Sequence, residues 1–562
     1  MAAQMLALAA LGVATPAGLL LERYSNTQAL GTPESTSTVD GADVRLQQAN
    51  GALSLRLQGT WTPAVSADYV LHCGCEASDH LFLWIDDHMM CDTQSWTGWQ
   101  GPTRGPAAVP LKAGKAVYFR AHMHRAKGRQ QMPVTMNLTL NMTGELQPIP
   151  PAELSPAVPA LQARRMKLQR GLLSGWNSWW STIGAKPGYR GGMLAVALLP
   201  ESFALTMVLC QLSTATCLSE STVAGTLTGP HRVRPGIKAL DASYAELWAP
   251  APGGLNVSLQ WSASAQNGGD DLAVLVTPLP NSTQRGLNLS DWALAVTGRF
   301  ICWNGEQGLC SAGTVSATGA TVTGQAAGLR SITAVGSGSR IAAPGLNVSM
   351  GQQTHPAAIF SLAQPVSVCA STTTSGVSLS SQSCSVADVT ASLAARRAAE
   401  LATYSQHGPE LAEAMEAMQS VLMWNILWNP SEAGPWANVD RGWGQPYCLF
   451  DWDNLFASYM LSLHSKDFAI SNLMQIVKSR TMAGFVPGYE KGIEKTRDKT
   501  EPPIGSKVVH EIYKRYKEDV LWVVELLFDD LYDWNSWFVR RRTLQPLGLI
   551  CLGSDPINTT AG

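Results

Sequence analysis

The chain has 562 residues, 15% charged side chains and a net charge of −2. That length holds about three or four domains at ~150 residues each. The near-neutral balance excludes the electrostatic footprint of a nucleic-acid binder, and the Ala-, Gly-, Ser- and Thr-rich first two thirds suit a β-rich secreted protein.

Residues Met1 to Leu21 carry no charged side chain. Residues 1–17 read as a signal-like segment, with Met5 to Val13 as apolar core and Ala14-Thr15-Pro16-Ala17 as exit. A membrane anchor is the rival reading, but Gly12, Pro16 and Gly18 interrupt the run, so no span is expected in the mature chain. A third reading makes Leu19 to Arg23 the first strand of a domain. Seven acceptor sequons, at Asn137, Asn141, Asn256, Asn281, Asn288, Asn347 and Asn558, favour the secretory route, extracellular or cell wall. The close pairs Cys210/Cys217, Cys302/Cys310 and Cys369/Cys384 suit hairpin-bridging disulfides. Cys73, Cys75 and Cys91 form a further cluster, open between disulfide and zinc chemistry, although Cys-x-Cys lacks the usual zinc spacing. Cys448 and Cys551 read as buried thiols.

Residues 18–148 read as all-β. Leu53 to Leu57 and Tyr69 to Cys73 alternate, Leu81 to Asp86 forms a buried strand, and Ala116 to His124 follows the Lys112-Ala113-Gly114-Lys115 turn. This string, above all Leu83-Trp84-Ile85-Asp86, resembles the protective-antigen-like (PA-fourteen) β-sandwich, a domain that accompanies glycosidases and binds glycans. Where some members hold calcium on an Asp-Asp pair, this chain has Glu76-Ala77-Ser78-Asp79, and Asp86-Asp87 reads as a turn; no metal or other cofactor is expected. His122 and His124 share one strand face and read as solvated rather than as a metal pair.

Residues 149–164 are Pro-rich and predict a stiff extended linker. Residues 165–385 form a second β-rich block, with strands such as Ala204 to Leu209, Leu255 to Trp261 and Leu272 to Val276. It opens with Gly175-Trp176-Asn177-Ser178-Trp179-Trp180, which reads either as an aromatic arm to a sugar cleft or as a hydrophobic plug between domains. Residues 386–562 turn helical: Ala387 to Tyr404, then a helix with Pro409 in its first turn and Leu411, Met415, Met418 and Leu422 on one core-facing stripe. Asn454 to Leu463, Asp467 to Val477, Lys507 to Lys517 and Val520 to Trp537 are further predicted helices.

Chemistry concentrates in Tyr447-Cys448-Leu449-Phe450-Asp451-Trp452-Asp453-Asn454-Leu455-Phe456. Two carboxylates bracket an indole in an apolar run, although burying an unpaired carboxylate is costly. A proton donor beside a flat apolar platform is what cleavage of a sugar requires. Downstream come Gly484-Phe485-Val486-Pro487-Gly488, the loop Arg497 to Ser506 with Pro502-Pro503, Phe528-Asp529-Asp530-Leu531, Trp534-Asn535-Ser536-Trp537 and Gly548-Leu549-Ile550. The order of these motifs, over Glu410 to Leu552, resembles glycoside hydrolase family 63 and its mannosylglycerate-hydrolase-like relatives. The resemblance implies a six-hairpin (α/α)6 toroid and inverting hydrolysis of α-glycosidic bonds. The expected architecture is therefore two N-terminal β-sandwich domains followed by an incomplete toroid.

By this resemblance Asp453 is the general acid, and an oligosaccharide or glycan is the partner. Asp451 is a supporting carboxyl or an acceptor for a sugar hydroxyl. Trp452 and Trp443 are stacking platforms, and Arg441 and Arg497 hold sugar oxygens or the acids. Glu501 stands where relatives carry a neutral amide. A toroid of twelve helices needs ~300 residues, and the stretch after Val386 holds about half of that. The family's base glutamate has no counterpart, since Glu511, Glu518 and Glu525 sit in no matching motif. The chain thus reads as the front part of a glycosidase acting on α-linked glucose or mannose. The alternative is a non-catalytic carbohydrate-binding or wall-associated protein.

Overall fold

The computed structural model describes residues 17–24, 33–42, 44–46, 54–75, 79–92, 108–125, 134–141, 146–172, 175–177, 194–199, 203–217, 234–240, 243–250, 255–266, 269–279, 287–300, 313–326, 331–343, 346, 348–350, 353–372, 384–429, 434–437, 449–481, 484–491, 494–496 and 499–551. The chain divides into two compact units, Met1–Arg165 and Met166–Gly562.

In the first unit the alternating runs pair into two antiparallel sheets. One orders Ser35–Val39, Leu19–Tyr24, Ser54–Trp61, Val117–Arg125, Asp79–Ile85 and His88–Asp92. The other orders Leu146–Pro148, Val134–Asn141, Ala67–Cys75 and Ala108–Leu111. Successive side chains of a strand leave on opposite faces, so every second residue can enter one core. Leu55, Leu57, Leu83 and Phe119 of the first sheet meet Tyr69, Leu71 and Val109 of the second in that way. Leu19–Tyr24 is a strand, as the third reading of the N-terminal run has it. Asp86 and Asp87 form the tight turn, with φ of 46° and 67°, a region short Asp side chains tolerate. Asp86 Oδ1 accepts from the Tyr118 N–H at 2.6 Å. Buried Asp87 pairs with Arg165 at 2.5 Å and accepts from Gln162 at 2.8 Å.

Two expectations change here. His122 is buried, not solvated: its strand lies between Ser54–Trp61 and Asp79–Ile85, and its ring sits 6.5 Å from Phe82. The Pro-rich segment is part of the sandwich rather than a stiff extended linker. Leu154–Ser155 pairs with Ser54–Trp61, Ile149 and Leu154 are buried in the sandwich core, and helix α1 (Ala160–Gly171) follows. The side chains of Cys73, Cys75, Cys91 and His124 lie outside the described residues.

The second unit holds another antiparallel pair of sheets. The smaller contains Gly175–Asn177, Leu194–Leu199, Phe203–Gln211, Trp292–Phe300 and Ala357–Ser361. The larger has eight strands from Arg234–Lys238 to Gly313–Thr318. Trp176 is 2% exposed and meets Phe203 edge-on at 6.4 Å, so this indole fills the sandwich interior rather than reaching toward a sugar. Trp179 and Trp180 lie outside the described residues.

The disulfides Cys210–Cys217 and Cys369–Cys384 form as expected, while Cys302/Cys310 and Cys448 lie outside the described residues. Cys551, expected to be buried, is an exposed free thiol, because the Thr543–Leu544/Leu549–Ile550 hairpin before it is itself largely exposed. The Cys369–Cys384 bridge closes a loop of sequence separation 15. Replacing both cysteines by serine is therefore expected to cost ~3 kcal/mol, read as a lower urea midpoint with an intact native spectrum; an unchanged midpoint would contradict it.

After Val386 the described residues contain six helices: α2 (Val386–Tyr404), α3 (Pro409–Asn425), α4 (Asp451–Leu461), α5 (Lys466–Lys478), α6 (Gly505–Tyr516) and α7 (Leu521–Arg541). They alternate with short ladders, and no closed ring of helix pairs is present among the described residues. Ser385 caps α2 by accepting from Asp388 N. Arg397 fastens α2 to the large sheet through Glu246 at 3.0 Å. The end of α3 docks on the same sheet. Trp424 meets Trp261 edge-on at 5.8 Å and donates to the Gly236 carbonyl, while Lys238 donates to the Met423 carbonyl. The expected α3 stripe is core only in part: Leu422 is buried, but Leu411 is 50% exposed. No helix among the described residues is long and apolar enough to cross a membrane.

Candidate active site

The start of α4 is held from three sides. Leu449–Phe450 pairs with Tyr489–Lys491, which pairs with Glu494–Lys495. The Asp451 N–H donates to the Gly488 carbonyl at 3.3 Å, and the Gly488 N–H to the Lys499 carbonyl at 2.8 Å. Gly484 turns this segment with φ of 98°, a conformation that glycine adopts without strain. Phe485 then buries itself on Trp537 at 4.7 Å.

Beneath α4 lies a closed polar network. Asn454 accepts from Phe450 N at 2.8 Å and donates to the Ala437 carbonyl at 2.7 Å. Asn472 of α5 donates to the Asn454 carbonyl at 2.6 Å and to Ser458 Oγ at 2.7 Å, and accepts from Ala437 N at 2.9 Å. Buried amides are tolerated when their donors and acceptors are satisfied, and such networks fix one arrangement.

On this platform Asp451 is fully buried. Its Oδ2 accepts from the Glu501 N–H at 2.9 Å and from Thr500 Oγ1 at 3.1 Å. Thr500 Oγ1 in turn accepts from Trp534 Nε1 at 3.2 Å. Oδ1 has no hydrogen-bond partner among the described residues. Burial outweighs the two donors, and the Asp451 carboxyl is pushed up to about 8. Asp453, one residue beyond the indole, is exposed in the first helical turn. Trp452 is 40% exposed and leans on Phe456 at 6.1 Å. Glu501 is partly buried, and its Oε2 has no hydrogen-bond partner among the described residues. Burial first, and then the Asp453 charge, raise the Glu501 carboxyl above its usual range.

The structure thus brings Asp451, Trp452, Asp453 and Glu501 to one helix start. Arg441, Trp443 and Arg497 lie outside the described residues. Thr500 and Trp534 also belong to the site. Their sequence signals, a threonine before an acid and a Trp-rich helix, do not say which hydroxyl meets which indole. No group of acids, histidines and cysteines suited to a metal ion occurs among the described residues. A separate apolar groove of about 380 Å³ lies between α6 and α7, lined by Val509, Tyr513, Leu521, Phe528 and Tyr532; the carboxylates do not line it.

No family model and no curated protein matches the chain. Among solved structures it is similar to an anti-sigma factor domain-containing protein, at 10% identity and TM-score 0.24 over 64% of this chain and 90% of that one. It is also similar to the Epithelial Adhesin 6 A domain of Candida glabrata, solved with Galb1-3GlcNAc, at 13% identity and TM-score 0.20 over 26% of this chain and 90% of that one. The PA14 domain of the MpAFP antifreeze protein is a third, at 11% identity and TM-score 0.19 over 25% of this chain and 90% of that one.

Proposed function

We propose that the chain is a glycoside hydrolase of the secretory route, cleaving α-linked glucose- or mannose-containing glycans by acid/base hydrolysis with inversion. The observation that carries this reading is the start of α4, where a half-exposed indole lies between a buried and an exposed carboxyl, with a third carboxyl on the facing loop. A pyranose face packs on an indole, and hydrolysis then needs a carboxyl that gives a proton and one that activates water. Asp453 is the carboxyl open to a sugar, the position to which the family resemblance gives the acid. Asp451 is too deep to touch substrate and positions the loop that carries Glu501. Two disulfides support the secretory route.

The test is incubation of the chain, expressed in a secretory host, with nitrophenyl α-D-glucoside, nitrophenyl α-D-mannoside and α-linked disaccharides. Proton NMR then follows the first product. Release of the β-anomer first supports the reading. Binding of these sugars without turnover would replace it with the carbohydrate-binding alternative.

A further inference from the structure

We propose that the groove between α6 and α7 is a homodimer interface. A second copy of this chain lays its own α6–α7 hairpin on it, completing an antiparallel four-helix bundle about a two-fold axis parallel to the helices. This inference is independent of the hydrolase reading.

The turn Lys517–Val520 joins α6 to α7 as an antiparallel hairpin, and Asn535 Nδ2 donates to Ser506 Oγ at 2.9 Å across its open end. One face of the hairpin is already used: Val508, Ile512, Trp534 and Trp537 are buried. The opposite face carries a second apolar stripe. On α7, Leu521, Phe528, Tyr532 and Val539 recur at steps of seven, four and seven residues, which is one line on a helix. Phe528 and Tyr532 are 60% and 64% exposed, and their rings stack at 6.4 Å. Val509 and Tyr513 of α6 form the facing wall of the groove. A helix that is apolar on two faces is suited to lie between neighbours on both sides, and burying such rings is the main driving force for association.

The charges at the rims point to the occupant. By helical phase, Lys507 and Lys514 fall on the edge of α6 away from α7. Glu511 lies between them, 2.7 Å from Lys507 and 3.2 Å from Lys514, so this edge remains net positive. Exposed Glu525 and Asp529 fall on the edge of α7 away from α6, which is net negative. The surface is therefore self-complementary, as a two-fold interface requires. An axis parallel to the helices sets each α6 against the α7 of the second copy, positive edge to negative edge. An axis across the helices would set like charge on like. With the parallel axis every helix also has only antiparallel neighbours, as in an up-down bundle. The heights agree as well. Ser506 lies level with Asn535. Eight residues further along each helix, Lys514 comes level with Leu527, between Glu525 and Asp529.

Light scattering on the full chain over a range of concentrations should give twice the mass of one chain. Phe528→Glu should be monomeric with the wild-type circular dichroism and urea midpoint, since the side chain it alters is exposed. Lys514→Glu, and separately Glu525→Lys with Asp529→Lys, should each be monomeric where the wild type is dimeric, because each sets like charges across the interface. Mixed one to one, these two proteins should recover the dimer, since unlike charges then meet along both edges; recovery also shows that both are folded. A wild-type chain that stays monomeric at every concentration overturns the proposal and leaves the groove to a helix of another protein or to a small apolar ligand. A dimer that survives Phe528→Glu and both charge changes lies elsewhere on the surface and overturns it too. So does a mixture of folded variants that stays monomeric. None of these readouts depends on turnover, so the hydrolase reading stands or falls separately.

Discussion

Asp453→Asn is expected to lower kcat on a cleaved α-glycoside by ~10²–10⁴, the usual worth of a positioned acid or base. The amide keeps the size and shape of the carboxyl, but it neither gives nor takes a proton near neutral pH. The fold should survive the change. Asp453 is exposed, and the anchors of α4 are Asp451, Asn454 and the Gly488 carbonyl rather than Asp453. The charge lost from the first turn is worth only ~0.3–1 kcal/mol through the helix dipole. Steady-state kinetics beside a urea titration separates the two effects. A loss under about tenfold, outside the range above, with unchanged stability would remove Asp453 from the chemistry.

The readability of the chain varied with the range of the forces involved. Alternation at Leu53 to Leu57 and Tyr69 to Cys73 pointed to the strands Ser54–Trp61 and Ala67–Cys75, because successive side chains leave a strand on opposite faces. The turn at Asp86-Asp87 and the bridges Cys210–Cys217 and Cys369–Cys384 are local, and their signals were local. His122 was misread because burial depends on having a strand on each side, which is a matter of topology. The prolines at 146–160 predict a stiff extended linker, but Ile149 and Leu154 among them enter a core. At the site, two acids around an indole were visible, yet which acid is buried was not. That depends on the helix phase set by Asn454 and Asn472, and on a loop 50 residues away that brings the Glu501 N–H to Asp451.

Asp451→Asn is expected to remove a large part of the pH dependence of stability. In the folded chain the Asp451 carboxyl is raised to about 8 from its ordinary 3.8. Between those values the folded state holds a proton that the unfolded state has released. Stability from this group is complete below the ordinary value and is lost as pH rises, by ~1.4 kcal/mol for each pH unit in the window. Above the folded value the loss is complete and the curve levels. An asparagine has no proton to lose, so the variant lacks this slope. It carries instead a constant offset of ~1–3 kcal/mol, because its N–H₂ faces the buried side where Oδ1 has no acceptor. The quantity to measure is the difference in urea-unfolding free energy between variant and wild type at several pH values. It should move in favour of the variant from about pH 5 to about pH 8 and be flat beyond. Asp451→Ala should give the same slope with a larger offset, which guards against a peculiarity of the amide. Parallel curves for wild type and both variants would mean that the Thr500 hydroxyl and the Glu501 N–H hold the carboxylate charged. Burial would then lose to two hydrogen bonds, and the loop would be clamped to α4 by an anion. If the slope appears, burial wins, and Asp451 stays neutral near neutral pH, beneath the exposed first turn of α4.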